Sequence, residues 1–204
     1  MSRFFLLRHA QSVANQKGFL AGRMPDIALS VAGKRQREKF NERAEGCKFE
    51  LVISSPMQRC QETIETLIVQ HRKPVIIDGG LTEVDYGIWT GKKFSTLNRD
   101  SKWRELVSSG NKMKFADGES IKSVQRRTIE TLLAYDNRKH RNIFISTHAD
   151  VIKLAIFHAL DVPICNLDKL IIDNASISII DLSGGTFSVK AINDSQSLLK
   201  DYRK

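Results

Sequence analysis

The chain has 204 residues, 41% of them hydrophobic, and 32 Lys and Arg against 23 Asp and Glu give it a formal charge of +9. That size holds one well-buried core, and with no internal repeat, low-complexity tract or Pro/Gly/Ser-rich linker a single domain over residues 1–204 is expected. No stretch approaches the ~20 apolar residues that cross a bilayer, so no membrane partner is expected.

Phe4 to Leu7 form a short apolar run that reads as a buried strand, followed by a polar loop to Leu29. Ser30 is a candidate N-cap for a helix to about Ala44, with Gly46 as its stop. Leu51 to Ile53 read as a second strand. Ser54-Ser55-Pro56 then opens a helix carrying Ile64, Leu67 and Ile68 and ended by Pro74. Val75 to Ile77 are a third strand. From Asp78 to Gly118 the pattern is irregular, with a short helix around Trp103 to Val107. Ser120 caps a helix in which Ile121, Val124, Thr128 and Leu132 share one face. Ile143 to Ile145 are a fourth strand, and a helix follows from about Ala149 to Leu160. Beyond Pro163, two β-rich runs, Ile177–Asp181 and Phe187–Ile192, finish the fold, and residues 183–204 include a polar C-terminal tail.

Strands alternating with helices predict an α/β three-layer sandwich, a mostly parallel central sheet flanked by helices. The cations are scattered: Lys34 to Lys39 on one helix, Lys92-Lys93 in a loop, Arg126-Arg127 on another helix and Arg138 to Arg141 near a turn. Without aromatic interleaving or a nucleic-acid motif they read as solvated surface, and no nucleic-acid partner is expected. Cys47, Cys60 and Cys165 have no metal-ligand spacing, and the first residues do not read as a signal peptide. A reduced, cytoplasmic setting is expected.

In open α/β sheets ligands gather beyond the carboxyl ends of the strands. Arg8 and His9 follow the first strand, Ser54, Ser55 and Arg59 the second, Glu83 the third after a turn, and Thr147 and His148 the fourth. Two histidines, two arginines and a carboxylate match the needs of phosphoryl transfer. A neutral imidazole is a competent nucleophile, guanidinium forks match the equatorial oxygens of the transferring group, and a carboxylic acid of raised pKa protonates the leaving oxygen.

The ordered segments LLRHAQS, AGRMPDIALSVAGKRQ (residues 21–36), SSPMQRCQET, LTEVDYGIWTG, DGES (117–120) and ISTHADVIK (145–153) resemble the histidine phosphatase superfamily, the phosphoglycerate mutase-like group, over roughly residues 3 to 182. The resemblance implies that His9 takes the phosphoryl group, that Arg8, Arg59 and His148 bind it, and that Glu83 is the proton donor. It places Ser12 and Asn15 in the pocket, Gly22 and Arg23 on the loop that meets the substrate, and Ala149 beside the second histidine. It implies no metal and no cofactor. Ala10 and Ala149 depart from the glycines usual after each histidine.

Alternatives stay open at this level. Asp85 shares a face with Glu83 in an extended segment, Glu119 is a second acid near the region, and Ser54 and Ser55 read as helix caps. Trp89 and Phe94 fall where the site is roofed, while His71, His140 and His158 read as ordinary surface or helix residues. Lys92, Lys93 and Arg99 hint at a second anionic group on the substrate. The expected activity is a metal-independent phosphatase acting on small-molecule phosphomonoesters through a phospho-histidine intermediate on His9. The alternatives are a phosphomutase and a non-catalytic phospho-ligand binding module. Substrate identity and oligomeric state do not follow from the sequence.

Overall fold

Leu7 and its neighbours back to Phe4 are apolar on both faces because their strand is covered on both. In the computed structural model, described over residues 1–71, 74–109, 114–136 and 141–202, strand β1 (Ser2–Arg8) lies inside a six-stranded sheet. Phe4 and Leu6 join one buried cluster and Phe5 and Leu7 the other, so the period of two sends alternate side chains to opposite cores.

Strands β2 (Leu51–Ser54), β3 (Ile76–Ile77) and β4 (Asn142–Thr147) run parallel to β1, β5 (Ile177–Ser183) pairs antiparallel with β1, and β6 (Thr186–Asp194) pairs antiparallel with β5. The order across the sheet is β3-β2-β4-β1-β5-β6. Helices α2 (Val31–Ala44) and α3 (Gln58–His71) pair with each other and cover one face; α6 (Ile121–Tyr135) and α7 (Ala149–Ala159) pair and cover the other. The expected three-layer α/β architecture is therefore observed. Ser30 and Ser120 cap α2 and α6 as their sequences predict, each accepting from the backbone N–H three residues on.

Three local expectations change. The polar loop before Leu29 contains a helix, α1 (Val13–Lys17), whose five residues are too few to show a period; a reciprocal Ser12–Asn15 capping box starts it. The irregular stretch 78–118 contains α4 (Phe94–Leu97) and α5 (Ser101–Ser108), the latter capped by Asp100 and longer than the helix expected there. The C-terminal tail is not free: β6 continues to Asp194, and a 3-10 turn at Leu199–Tyr202 places Leu199 wholly inside the core cluster of Phe5 and Phe144. Arg43 donates to the Ser197 carbonyl and the Tyr202 hydroxyl to Asp194, which hold that turn down. The His71 side chain, residues 138–140 and hence His140 lie outside the described residues.

Candidate active site

The parallel register brings the expected residues together. Arg8 pairs with Thr147 and Ser54 with Ser146, so β1, β2 and β4 end flush. The ladder extends one step further, His9 N–H to the Thr147 carbonyl (2.9 Å) and Ser55 N–H to the Ser146 carbonyl (2.9 Å). That step sets His9, Ser55 and His148 side by side, and the His9 and His148 ring centroids are 5.3 Å apart.

His9 is held from both sides. Its Nδ1 lies 2.7 Å from the Ala10 carbonyl, which assigns the proton to Nδ1 and leaves the Nε2 lone pair facing the Arg59 Nε at 3.3 Å. Burial first, then the charges of Arg59 and Arg8, push the His9 pKa well below that of an ordinary imidazole, so the ring is neutral at pH 7. Thr63 fixes the following residue by accepting from Ala10 N–H (3.0 Å) and donating to the Arg59 carbonyl (2.6 Å). Asn174 donates to the His9 carbonyl at 3.0 Å.

Arg59, in the first turn of α3, is only 2% exposed. Its guanidinium reaches the Gly22 carbonyl (2.8 Å), His9 Nε2 and His148 Nδ1 (3.3 Å). Among the described residues no carboxylate lies within 4.0 Å of it, an arrangement that suits an anionic ligand. Gly22 takes φ +48°, where a Cβ would also stand 3.1 Å from Thr90 and Tyr86, so glycine is required for that carbonyl to point inward. Arg8 donates to the Ile172 carbonyl, and its Nε is buried without a partner among the described residues.

His148 stands at the N-cap position of α7 without a side-chain capping bond and is fully buried behind the cavity wall. Its Nε2 is 2.8 Å from the Ser55 hydroxyl and its Nδ1 3.6 Å from a Glu83 oxygen. Burial and the neighbouring Arg59 depress its pKa, so the Glu83 contact is not an ion pair. Glu83 itself is pushed up to about 7, mainly by burial and next by the Asp150 charge, against the pull of Arg59 and Arg8. Its segment is fastened by the Thr147 hydroxyl on the Leu81 carbonyl (2.7 Å) and by Arg127 on the Gly80 and Glu83 carbonyls.

The alternatives differ in position. Glu83 lines the cavity and Asp85 does not, because the chain turns into a 3-10 helix at Gly87–Trp89 and the Asp85 carboxylate accepts the Gly87 N–H. Glu119 takes the Asp85 N–H and pairs with Arg127 and Arg23. Arg23 does not line the cavity, and its Nε donates to the Glu83 carbonyl (3.0 Å). Arg8, Ser12, Asn15, Gly22, Arg59 and Ala149 do line it; Lys92, Lys93, Arg99 and Trp89 do not, and Phe94 does. Ala10 is buried against Leu29 and Ala175, and neither Ala10 nor Ala149 has positive φ, so neither methyl meets a backbone that demands glycine. His158 packs edge-on against Phe187.

Sequence reasoning missed Asn174, Asp150, Arg127 and the contact between Ser55 and His148. No periodic signal marks them, although Thr63 and Ser55 stand inside the segment that carries Arg59. Cys60 lies 3.5 Å from His148 Nε2, but burial pushes its thiol up to about 12, which removes it as a nucleophile. Among the described residues no group of three or more His, Cys, Asp and Glu is placed to hold a metal ion, and no helix is long and apolar enough to cross a membrane.

The loop that carries His9 also depends on Gly33. A Cβ there would stand 2.0 Å from the Gln11 carbonyl oxygen, which accepts from Ser30 N–H at the start of α2. Gly33→Ala is expected to displace the Gln11 backbone, cost about 1–3 kcal/mol and lower both the melting temperature and kcat/KM. An unchanged melting temperature and rate in the purified variant contradict that expectation.

A family model described as the histidine phosphatase superfamily (branch 1) matches residues 4–195. The chain belongs to that superfamily. Among its relatives, the 2,3-bisphosphoglycerate-dependent phosphoglycerate mutase of Thermoplasma acidophilum is 28% identical over 196 residues, 96% of this chain and 95% of that one. The adenosylcobalamin/alpha-ribazole phosphatase of Escherichia coli is 22% identical over 201 residues, 94% and 95% of the two chains. The fold of this histidine phosphatase superfamily member matches the phosphoserine phosphatase from Entamoeba histolytica, solved in complex with 3-phosphoglyceric acid, with a TM-score of 0.85 at 25% identity over 97% of this chain and 100% of that one.

Proposed function

We propose that the protein is a metal-independent phosphatase that hydrolyses small-molecule phosphomonoesters in two steps. The observation that carries this is a neutral His9 whose Nε2 faces Arg59, with a carboxyl of pKa about 7, Glu83, on the same cavity. His9 Nε2 attacks phosphorus, and the P–O bond to the alcohol breaks as Glu83 gives its proton to the departing oxygen. Arg8, Arg59 and the Asn15 amide bear the charge on the equatorial oxygens, and His148 behind them holds Arg59 in place. The Ser55 hydroxyl either donates to or accepts from His148 Nε2, so both tautomers of that ring keep a partner. Glu83, now a carboxylate, takes a proton from the water that attacks phospho-His9, and inorganic phosphate leaves with both residues restored. A reduced, cytoplasmic setting fits the odd number and wide spacing of Cys47, Cys60 and Cys165.

Resemblance to the T. acidophilum mutase supports a second reading, in which phospho-His9 returns its group to the bound product. The two are separated by assaying p-nitrophenyl phosphate and alkyl phosphates in the presence of a chelator. Stoichiometric release of inorganic phosphate, through an acid-labile phosphoenzyme, supports the phosphatase. Phosphoryl exchange without net release supports the mutase, and phosphate binding without either reaction supports a binding module.

A further inference from the structure

The cavity extends well past the phosphoryl end. It measures about 350 Å³, far more than a phosphoryl group fills. Its outer wall is built from Phe19, from Phe94 and Val107 on α4 and α5, and from Ile164 and Leu167 on the 3-10 turn after α7. Phe94 and Val107 are 43% and 38% exposed, apolar groups at the mouth of a site rather than in a core. Exposed apolar surface of this kind becomes favourable only when a ligand covers it.

The charges point the same way. Beyond Arg8 and Arg59, the only cation lining the cavity among the described residues is Lys153, which is paired with Asp150 at 3.4 Å. Asp150 also accepts from the Tyr86 hydroxyl (2.8 Å), and Asp168 adds a further carboxylate at the rim. Arg23 is committed to Glu119. A second carboxylate or phosphate on the substrate would therefore enter an apolar wall with no free counter-charge and would lose its hydration without replacement.

We infer that the natural substrates are monophosphates of bulky, largely apolar alcohols, those with a ring or branched hydrocarbon body and no second anionic group near the phosphate. This rests on the phosphatase reading of the same cavity. Apolar area buried on the outer wall then supplies the selectivity, and a carboxylate-bearing ester such as O-phosphoserine or 3-phosphoglycerate is the poorer substrate.

The test compares 2-phenylethyl phosphate with O-phosphoserine and 3-phosphoglycerate, all primary alkyl esters, so leaving-group basicity does not decide the order. kcat/KM for the phenylethyl ester is expected to exceed both others by roughly tenfold or more, as burial of a ring implies. Phe94→Ala and, separately, Val107→Asn lower the ratio of phenylethyl ester to phosphoserine by roughly threefold to tenfold; both positions are half-exposed, so folding tolerates the change. Equal rates, faster turnover of the acidic esters, or an unchanged ratio in both variants overturns the inference while leaving the phosphatase intact. If no ester is turned over, p-nitrophenyl phosphate included, the phosphatase reading falls. Calorimetric affinities of the same three esters then decide: tighter binding of the phenylethyl ester upholds the apolar subsite, and equal or weaker binding overturns it.

Discussion

His9→Ala is expected to lower kcat by at least ~10⁴-fold on every phosphomonoester and to abolish the acid-labile phosphoenzyme. The size of the effect follows from the geometry. Arg8 and Arg59 supply charge but no nucleophile, the Cys60 thiol is held protonated, and the Ser55 hydroxyl is taken up by His148. No neighbouring side chain is therefore placed to take over attack on phosphorus. Removal of the ring also leaves the Arg59 Nε without its 3.3 Å partner, so phosphate binding in the variant is expected to persist while turnover does not. Residual turnover within tenfold of wild type, with an unlabelled protein, would remove His9 from the mechanism.

The second large effect belongs to Glu83, and its signature is selectivity by leaving group. Glu83→Gln keeps the shape and loses the proton, so alkyl phosphates, whose alkoxides leave poorly, slow by ~10²–10⁴-fold. p-Nitrophenyl phosphate needs little protonation and loses much less in the first step. A uniform loss of kcat/KM, which reports the first step and not the hydrolysis of phospho-His9, on both ester types contradicts the acid role. In the wild type, kcat/KM on alkyl esters is expected to fall as pH rises through about 7, the acid form of Glu83 being the proposed donor. Asp150→Asn removes a charge that raises that pKa, so the falling limb moves to lower pH; a limb that stays in place or moves upward excludes the coupling.

The same shift has a stability consequence with a defined sign. The folded-state pKa of Glu83 lies above its ordinary value of 4.5, so its favourable contribution is complete below about 4.5 and is lost as pH rises through about 7. Glu83→Gln is accordingly expected to melt higher than wild type at pH 8, with the difference vanishing below about pH 4.5. That melting curve also separates lost chemistry from lost folding.

Much of the fold was legible because it rests on local rules. The apolar run Phe4–Leu7, the caps Ser30 and Ser120 and the i, i+3, i+4 face of Ile121 to Leu132 each act within a few residues. Legibility failed where elements are short or stabilised from afar. Helix α1 is a single turn fixed by a capping box, and the tail is ordered by Arg43 and by burial of Leu199, neither of which its own polar composition announces.

By itself, the sequence determined the strand and helix order and the placement of Arg8, His9, Arg59 and His148 beyond strand ends, because chemistry-bearing residues must follow the apolar runs that deliver them. Only the tertiary structure set Glu83 on the cavity and Asp85 off it, paired Arg23 with Glu119, and joined Ser55 to His148. Those outcomes depend on which charged and polar groups become near neighbours after segments far apart in the chain have packed. Pairing energies of that kind are set by distance and burial, and neither is written in the spacing of residues along the chain.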